Sequence, residues 1–127
     1  MSRRVVITGM GIVSCLGNSI EEVASSLFEG SSGIETREEQ IEVGMRSQIA
    51  GAPKISVDEF IDRKQRRFMG DAASYAYISM MQAIEDSGLE KHDISNPKTG
   101  IIAGSGGASS ASQTEAADIL RERGLRR

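Results

Sequence analysis

The sequence of 127 residues holds one cysteine, Cys15, and one histidine, His92. A single thiol excludes an internal disulfide framework, and one cysteine with one histidine is too few ligands for a zinc site. Prolines number 2, and the 14 glycines are clustered rather than spread, so the chain is not of low complexity. No apolar run approaches the roughly 20 residues of a membrane-spanning helix. The opening Met1-Ser2-Arg3-Arg4 is basic, but the apolar stretch after it is cut by Gly9, Gly11 and Gly17 and lacks a small-residue cleavage site. It does not read as a signal peptide, and the expected compartment is the cytoplasm. Basic excess is missing too. With 15 Lys and Arg against 18 Asp and Glu, the net charge is −3, which argues against a general nucleic-acid binder.

What is present is the composition of an ordinary folded domain, 39% hydrophobic and 26% charged. Val5-Val6-Ile7, between Arg4 and Thr8, predicts a strand buried on both faces, as in a parallel sheet. Asn18 and Ser19 offer capping chemistry for a helix over 20–29, with Glu21 and Glu22 in its first turn and Gly30 as its stop. Val23, Ala24, Leu27 and Phe28 share one face of it. Residues 30–58 read as an irregular insertion with an extended piece between Met45 and Ala50. The strongest helical pattern is the stripe Phe68, Ala72, Ala76, Met80, Ala83, Ile84 and Ser87, closed by Gly88. Thr99 to Ala103 predicts a second buried strand, Gly104-Ser105-Gly106-Gly107 a tight loop, and Ser112 to Arg123 a final helix. The order indicates an α/β fold with parallel pairing. Two parallel strands with helices make a poor independent core, so the chain is expected to be marginal, with apolar surface left exposed.

Gly9-Met10-Gly11 after a strand invites a dinucleotide-binding reading, but Ser14 stands where the third glycine of that fingerprint belongs. Close backbone packing is the plainer account. The glycines at 104–107 suit an anion cradle, yet no lysine follows in P-loop spacing, and a turn approached by a ligand or partner chain fits better. A Cys15 nucleophile requires a base, and the one histidine lies in the polar Glu90-Lys91-His92-Asp93, with nothing local to orient the pair. The sharpest charge feature is Arg63-Lys64-Gln65-Arg66-Arg67, four cations in five residues of an acidic chain. Arg121, Arg123, Arg126 and Arg127 form a second basic group. Such a patch suggests a specific acidic partner, against the bland alternative of a solvated helix end paired with Asp62 or Glu59.

Taken together, Val5-Val6-Ile7-Thr8-Gly9-Met10-Gly11-Ile12-Val13-Ser14 with Leu16-Gly17, Gly44-Met45-Arg46-Ser47, Asp62-Arg63-Lys64 with Arg67-Phe68-Met69, and Ile102-Ala103-Gly104-Ser105-Gly106-Gly107 resemble the β-ketoacyl-acyl-carrier-protein synthases. They are more similar to the synthase I members than to synthase II. The resemblance runs over essentially all of 1–127. It implies the N-terminal part of a thiolase-like fold, an αβαβα sandwich, in an enzyme that condenses malonyl-loaded acyl carrier protein with a cysteine-bound acyl chain. No cofactor or metal is implied. The family's catalytic cysteine and two histidines have no counterpart here, so no residue of this chain is assigned a catalytic role and the domain is expected to be incomplete. By the same resemblance Arg63, Lys64 and Arg67 match the surface that receives acidic acyl carrier protein. Arg123 and Arg126 match a second basic contact across a one-residue gap, and Gly106 and Gly107 match a loop beside the acyl pocket and dimer interface. Ala108-Ser109-Ser110 departs from the glycine or proline common there. A homodimer is implied for the full-length enzyme, with no nucleic-acid or membrane partner. A non-catalytic carrier-binding module is the alternative.

Overall fold

The computed structural model describes residues 3–107 and 109–125. In chain order the elements are α1 (Ile20–Glu29), β1 (Ile34–Thr36), α2 (Glu38–Glu42), β2 (Ile49–Gly51), α3 (Arg63–Arg66), α4 (Asp71–Ser87), α5 (Lys91–Ile94) and α6 (Ser110–Arg123). A single 3₁₀ turn at Val57–Glu59 lies between β2 and α3. None of the described helices is long and apolar enough to cross a membrane.

The first helix forms where its caps place it. The Ser19 hydroxyl accepts from the Glu22 N–H at 3.2 Å, and Glu21 and Glu22 sit at the positive end of the helix. At the other end Gly30 takes a left-handed φ of 68°. Its N–H reaches the Leu27 carbonyl while the Ser31 N–H reaches that of Ser26, the paired closure that a residue without Cβ permits. The buried face is narrower than the sequence suggests: Val23 is buried, but Leu27 and Phe28 are exposed.

The long helix α4 also ends at its predicted glycine, Gly88, yet its inner face is rotated from the apolar stripe. Ser74 and Ile78 are buried, whereas Ala72, Ala76 and Met80 are exposed and Phe68 lies outside the helix. The reason is the polar hold that α4 takes on the N-terminal arm. Asp86 Oδ2 accepts from the Met10 N–H at 2.8 Å, Gln82 Oε1 from the Ile12 N–H at 2.8 Å, and Gln82 Nε2 donates to the Asn18 carbonyl at 2.7 Å. Gly9 and Gly11 bring their backbone directly against α4. A Cβ at Gly11 would overlap the Ser79 carbonyl and fall 2.8 Å from Gln82 Cβ. These glycines therefore serve close packing, as the plainer reading had it, and two of the arm's amides are already spent on α4.

The predicted parallel strands are a correction. Residues 4–8 and 99–103 run outside any strand, and no backbone hydrogen bond joins them among the described residues. Val5 is 92% exposed and Ile102 fully so. An extended segment becomes a strand only when a neighbour accepts its ladder, and nothing else described offers one. The sheet that does form is antiparallel, β1 against β2, with Ile34 opposite Gly51 and Thr36 opposite Ile49. It organises the segment that sequence left irregular: α2 sits in the hairpin connection, and Glu35 pairs with Lys54. Cys15 fills the space this hairpin leaves, since a Cβ at Gly33 or at Gly51 would come within 2.8 Å of its Sγ.

The buried hydrophobic set is small, Val23, Ile61 and Ile78, joined by Ser74. The accessible surface is 10961 Å², where a folded monomer of this mass exposes about 6,600 Å². Mixed helix and strand is thus the architecture, with much apolar surface uncovered.

Two substitutions test this balance. Gly11→Ala should lower stability by about 1–3 kcal/mol through overpacking, seen as a lower denaturant midpoint. Ile102→Lys should leave that midpoint within about 0.5 kcal/mol and raise solubility. A neutral Gly11→Ala would contradict the docking of the arm on α4.

Candidate functional site

The basic segment is a short helix with a built-in start. Asp62 caps α3, its carboxylate accepting from the Lys64 N–H at 2.7 Å. Arg63 and Arg67 stand four residues apart, on the same side of the turn, with Lys64 beside them, and all three are exposed. None of the three enters an ion pair among the described residues. The pairing with Asp62 or Glu59 that would make this a plain solvated helix end is not the arrangement found, because Asp62 is occupied as the cap.

Arg66 behaves differently from its neighbours. Its Nη2 donates to Asp71 Oδ1 at 2.9 Å and its Nη1 to the Met69 carbonyl. The Arg67 guanidinium lies over the exposed Phe68 ring, 4.5 Å from its centroid. Cation and aromatic are therefore presented as one unit where α3 turns into α4.

The glycine loop sits next to this turn. A Cβ at Gly70, the residue just before α4, would be 3.1 Å from Ser109 Cβ, and Ser109 in turn caps α6 by accepting from the Ser112 N–H at 3.2 Å. Within the loop the Ser105 hydroxyl donates to the Gly107 carbonyl at 2.8 Å. The result is an open cleft of about 1000 Å³ lined by Arg67, Phe68, Gly104, Ser105, Gly107 and Ala76 among others. Arg67, the residue that closes the cationic helix, and the glycine loop, far apart in sequence, thus line one cleft, while Arg63 and Lys64 do not line it. At Gly106 and Gly107 an added Cβ would meet nothing within 4 Å, and neither glycine has a positive φ. Their own surroundings do not require glycine.

Not every candidate joins this site. Arg123 is exposed at the far end of α6, about 20 Å of helix from its cleft-lining start. Arg126 lies outside the described residues. Cys15 is packed against Gly33 and Gly51, whereas His92 is exposed, 3.2 Å from Glu90 and 3.4 Å from Asp93. Each has its own partners, and they form no nucleophile–base pair.

Residues 2–126 match the family described as Beta-ketoacyl synthase, N-terminal domain. The chain belongs to this family. It is 53% identical over 119 residues to the 3-oxoacyl-[acyl-carrier-protein] synthase 1 of Haemophilus influenzae, covering 94% of this chain and 29% of that protein. It is 50% identical over 126 residues to the Escherichia coli K12 protein of the same name, covering 98% and 31%. A more distant relative is the 3-oxoacyl-[acyl-carrier-protein] synthase 2 of Vibrio cholerae, 35% identical over 105 residues. The family relation thus extends over nearly the whole chain, while the chain spans about 30% of the length of the synthase 1 proteins it matches.

Sequence reasoning left Arg66 out of the docking surface but missed its contact with Asp71. The signal available was the spacing: Asp71 follows Arg66 by five residues, across a glycine at 70 just before a new helix.

Because nothing crowds the position, Gly107→Ala should leave the unfolding midpoint within about 0.5 kcal/mol of wild type. A large loss in a thermal or denaturant melt would show that the loop packs more tightly than described.

Proposed function

We propose that this chain is the N-terminal part of a synthase I that carries out the decarboxylative condensation of fatty-acid elongation. In that reaction malonyl-loaded acyl carrier protein condenses with an enzyme-bound acyl thioester. The observation that carries the reading is the cationic face itself. Arg63, Lys64 and Arg67 present three exposed cations on a chain of net charge −3, and Arg67 lines the cleft bounded by the glycine loop. An acidic carrier protein is the partner such a face recruits, because complementary potential speeds encounter and fixes orientation. The names of the relatives support the same partner.

In this reading the chain contributes the docking face through Arg63, Lys64 and Arg67, with Arg123 and Arg126 as a second basic contact. Gly106 and Gly107 leave room for the acyl chain and for a second subunit of a homodimer, and their lack of side chains is consistent with open space on that side. The layered thiolase-like sandwich is completed by polypeptide other than these residues, and so is the chemistry: a thiolate nucleophile, with two histidines aimed at the developing oxyanion. The uncovered apolar segments around Val5 and Ile102 are consistent with a sheet that draws strands from elsewhere.

Two measurements test the proposal. The double variant Arg63→Glu/Lys64→Glu should weaken binding of acyl carrier protein by more than about tenfold, with the wild-type affinity falling steeply as salt is raised. Equal binding by the variant would reject the docking face. The purified 127-residue chain should form no 3-oxoacyl product from malonyl- and acyl-loaded carrier, and detectable condensation would overturn the assignment of the nucleophile to residues outside it.

A further inference from the structure

Both carboxylates that flank the cationic segment are engaged inside the molecule. Asp62 is held by the Lys64 amide, and Asp71 by the Arg66 guanidinium. The side chain of Arg66 is 27% exposed, less than that of any other arginine or lysine seen in an ion pair here, and its second amino group is bound to the Met69 carbonyl. It therefore spans residues 66–71, the turn that carries Arg67 and Phe68.

We propose that Arg66 is a positioning residue of the docking face and not one of its contacts. It acts through Asp71, cancelling that carboxylate beside the turn on which the Arg67–Phe68 pair is displayed. The inference rests on the carrier-docking reading above. An exposed Asp71 carboxylate left without its partner would set a negative charge four residues from Arg67 and repel an acidic protein approaching Arg63, Lys64 and Arg67, the more so at low salt. Met in place of Arg66 keeps much of the apolar stem while removing both the charge and the two hydrogen bonds.

The test is a double-mutant cycle on the full 127-residue chain, titrated with acyl carrier protein. Arg66→Met should weaken binding by about two- to fivefold, the range of an exposed charge pair. Arg66→Met/Asp71→Asn should recover to within about twofold of wild type, because the carboxylate that needed cancelling is gone. A double variant as weak as Arg66→Met would show that Arg66 does not act through Asp71 and overturn the proposal, as would an Arg66→Met variant that binds like wild type. The arginine side-chain Nε–Hε resonances give a second readout. Adding carrier protein should shift those of Arg63 and Arg67 and leave that of Arg66 in place, and Asp71→Asn alone should move the Arg66 resonance. An Arg66 signal that shifts on carrier addition as much as that of Arg63 refutes the positioning role. The Arg63→Glu/Lys64→Glu variant separates the two ideas: if it binds as well as wild type, the docking reading itself fails. If it loses binding while the cycle shows no recovery, only the role of Arg66 does.

Discussion

The structure depends on one polar seam, the hold of α4 on the N-terminal arm. Gln82 bridges the arm at two points, taking the Ile12 amide and giving to the Asn18 carbonyl, and Asp86 takes the amide of Met10. The Ile12 bond is part-buried and the Met10 bond exposed, and in both helix side chains supply the acceptor that a sheet ladder otherwise would. The seam closes only because Gly9 and Gly11 have no Cβ to keep the two backbones apart. The tight turn at Ser14–Gly17 follows from the held arm, then the Ser19 cap of α1, then the seating of Cys15 against the hairpin glycines.

The other end of α4 builds the cleft. Its first residues meet Ser109 through Gly70 and receive Arg66 through Asp71. One rigid helix thus ties the arm at its C-terminal half and the candidate site at its start. This arrangement places Arg67, Phe68 and the glycine loop around a common space without using many buried residues. The small core is the other face of the same fact. Burial of Val23, Ile61 and Ile78 alone is a modest hydrophobic contribution, and the extended apolar segments at 5–7 and 101–102 find no cover among the described residues. A family whose synthase 1 members are about three times this length has ample chain from which such cover can come.

Electrostatics at the candidate site is local rather than global. A chain with more carboxylates than cations still exposes Arg63, Lys64 and Arg67 with no ion partner among the described residues, while Asp71 is paired with Arg66. The arrangement of partners within ten residues decides the sign that an approaching molecule meets, since screening confines exposed charges to about 10 Å at ordinary ionic strength.

Much was legible in the residues alone. Ser19 with Gly30, and the glycine at 88, mark helix ends through interactions a few residues long, which local sequence determines. The order of motifs from Val5 to Gly107 was sufficient to identify the family, and the four cations of 63–67 stood out against an acidic background. Other features waited for the fold. Apolar runs at 5–7 and 101–102 carry strand propensity, but pairing needs a neighbour, and a neighbour is a tertiary fact. The buried side of α4 departs from its apolar stripe because hydrophobic periodicity cannot register that Gln82 and Asp86 bond to amides 70 and 76 residues away. The three cations Arg63, Lys64 and Arg67 were named from the resemblance, whereas the pairing of Arg66 with Asp71 across a helix boundary was not. Sequence by itself determined the caps, the family and the charge of the segment. Only the tertiary structure decided which groups were left free to act, because hydrogen-bond partners distant in the chain must first be brought within 3 Å.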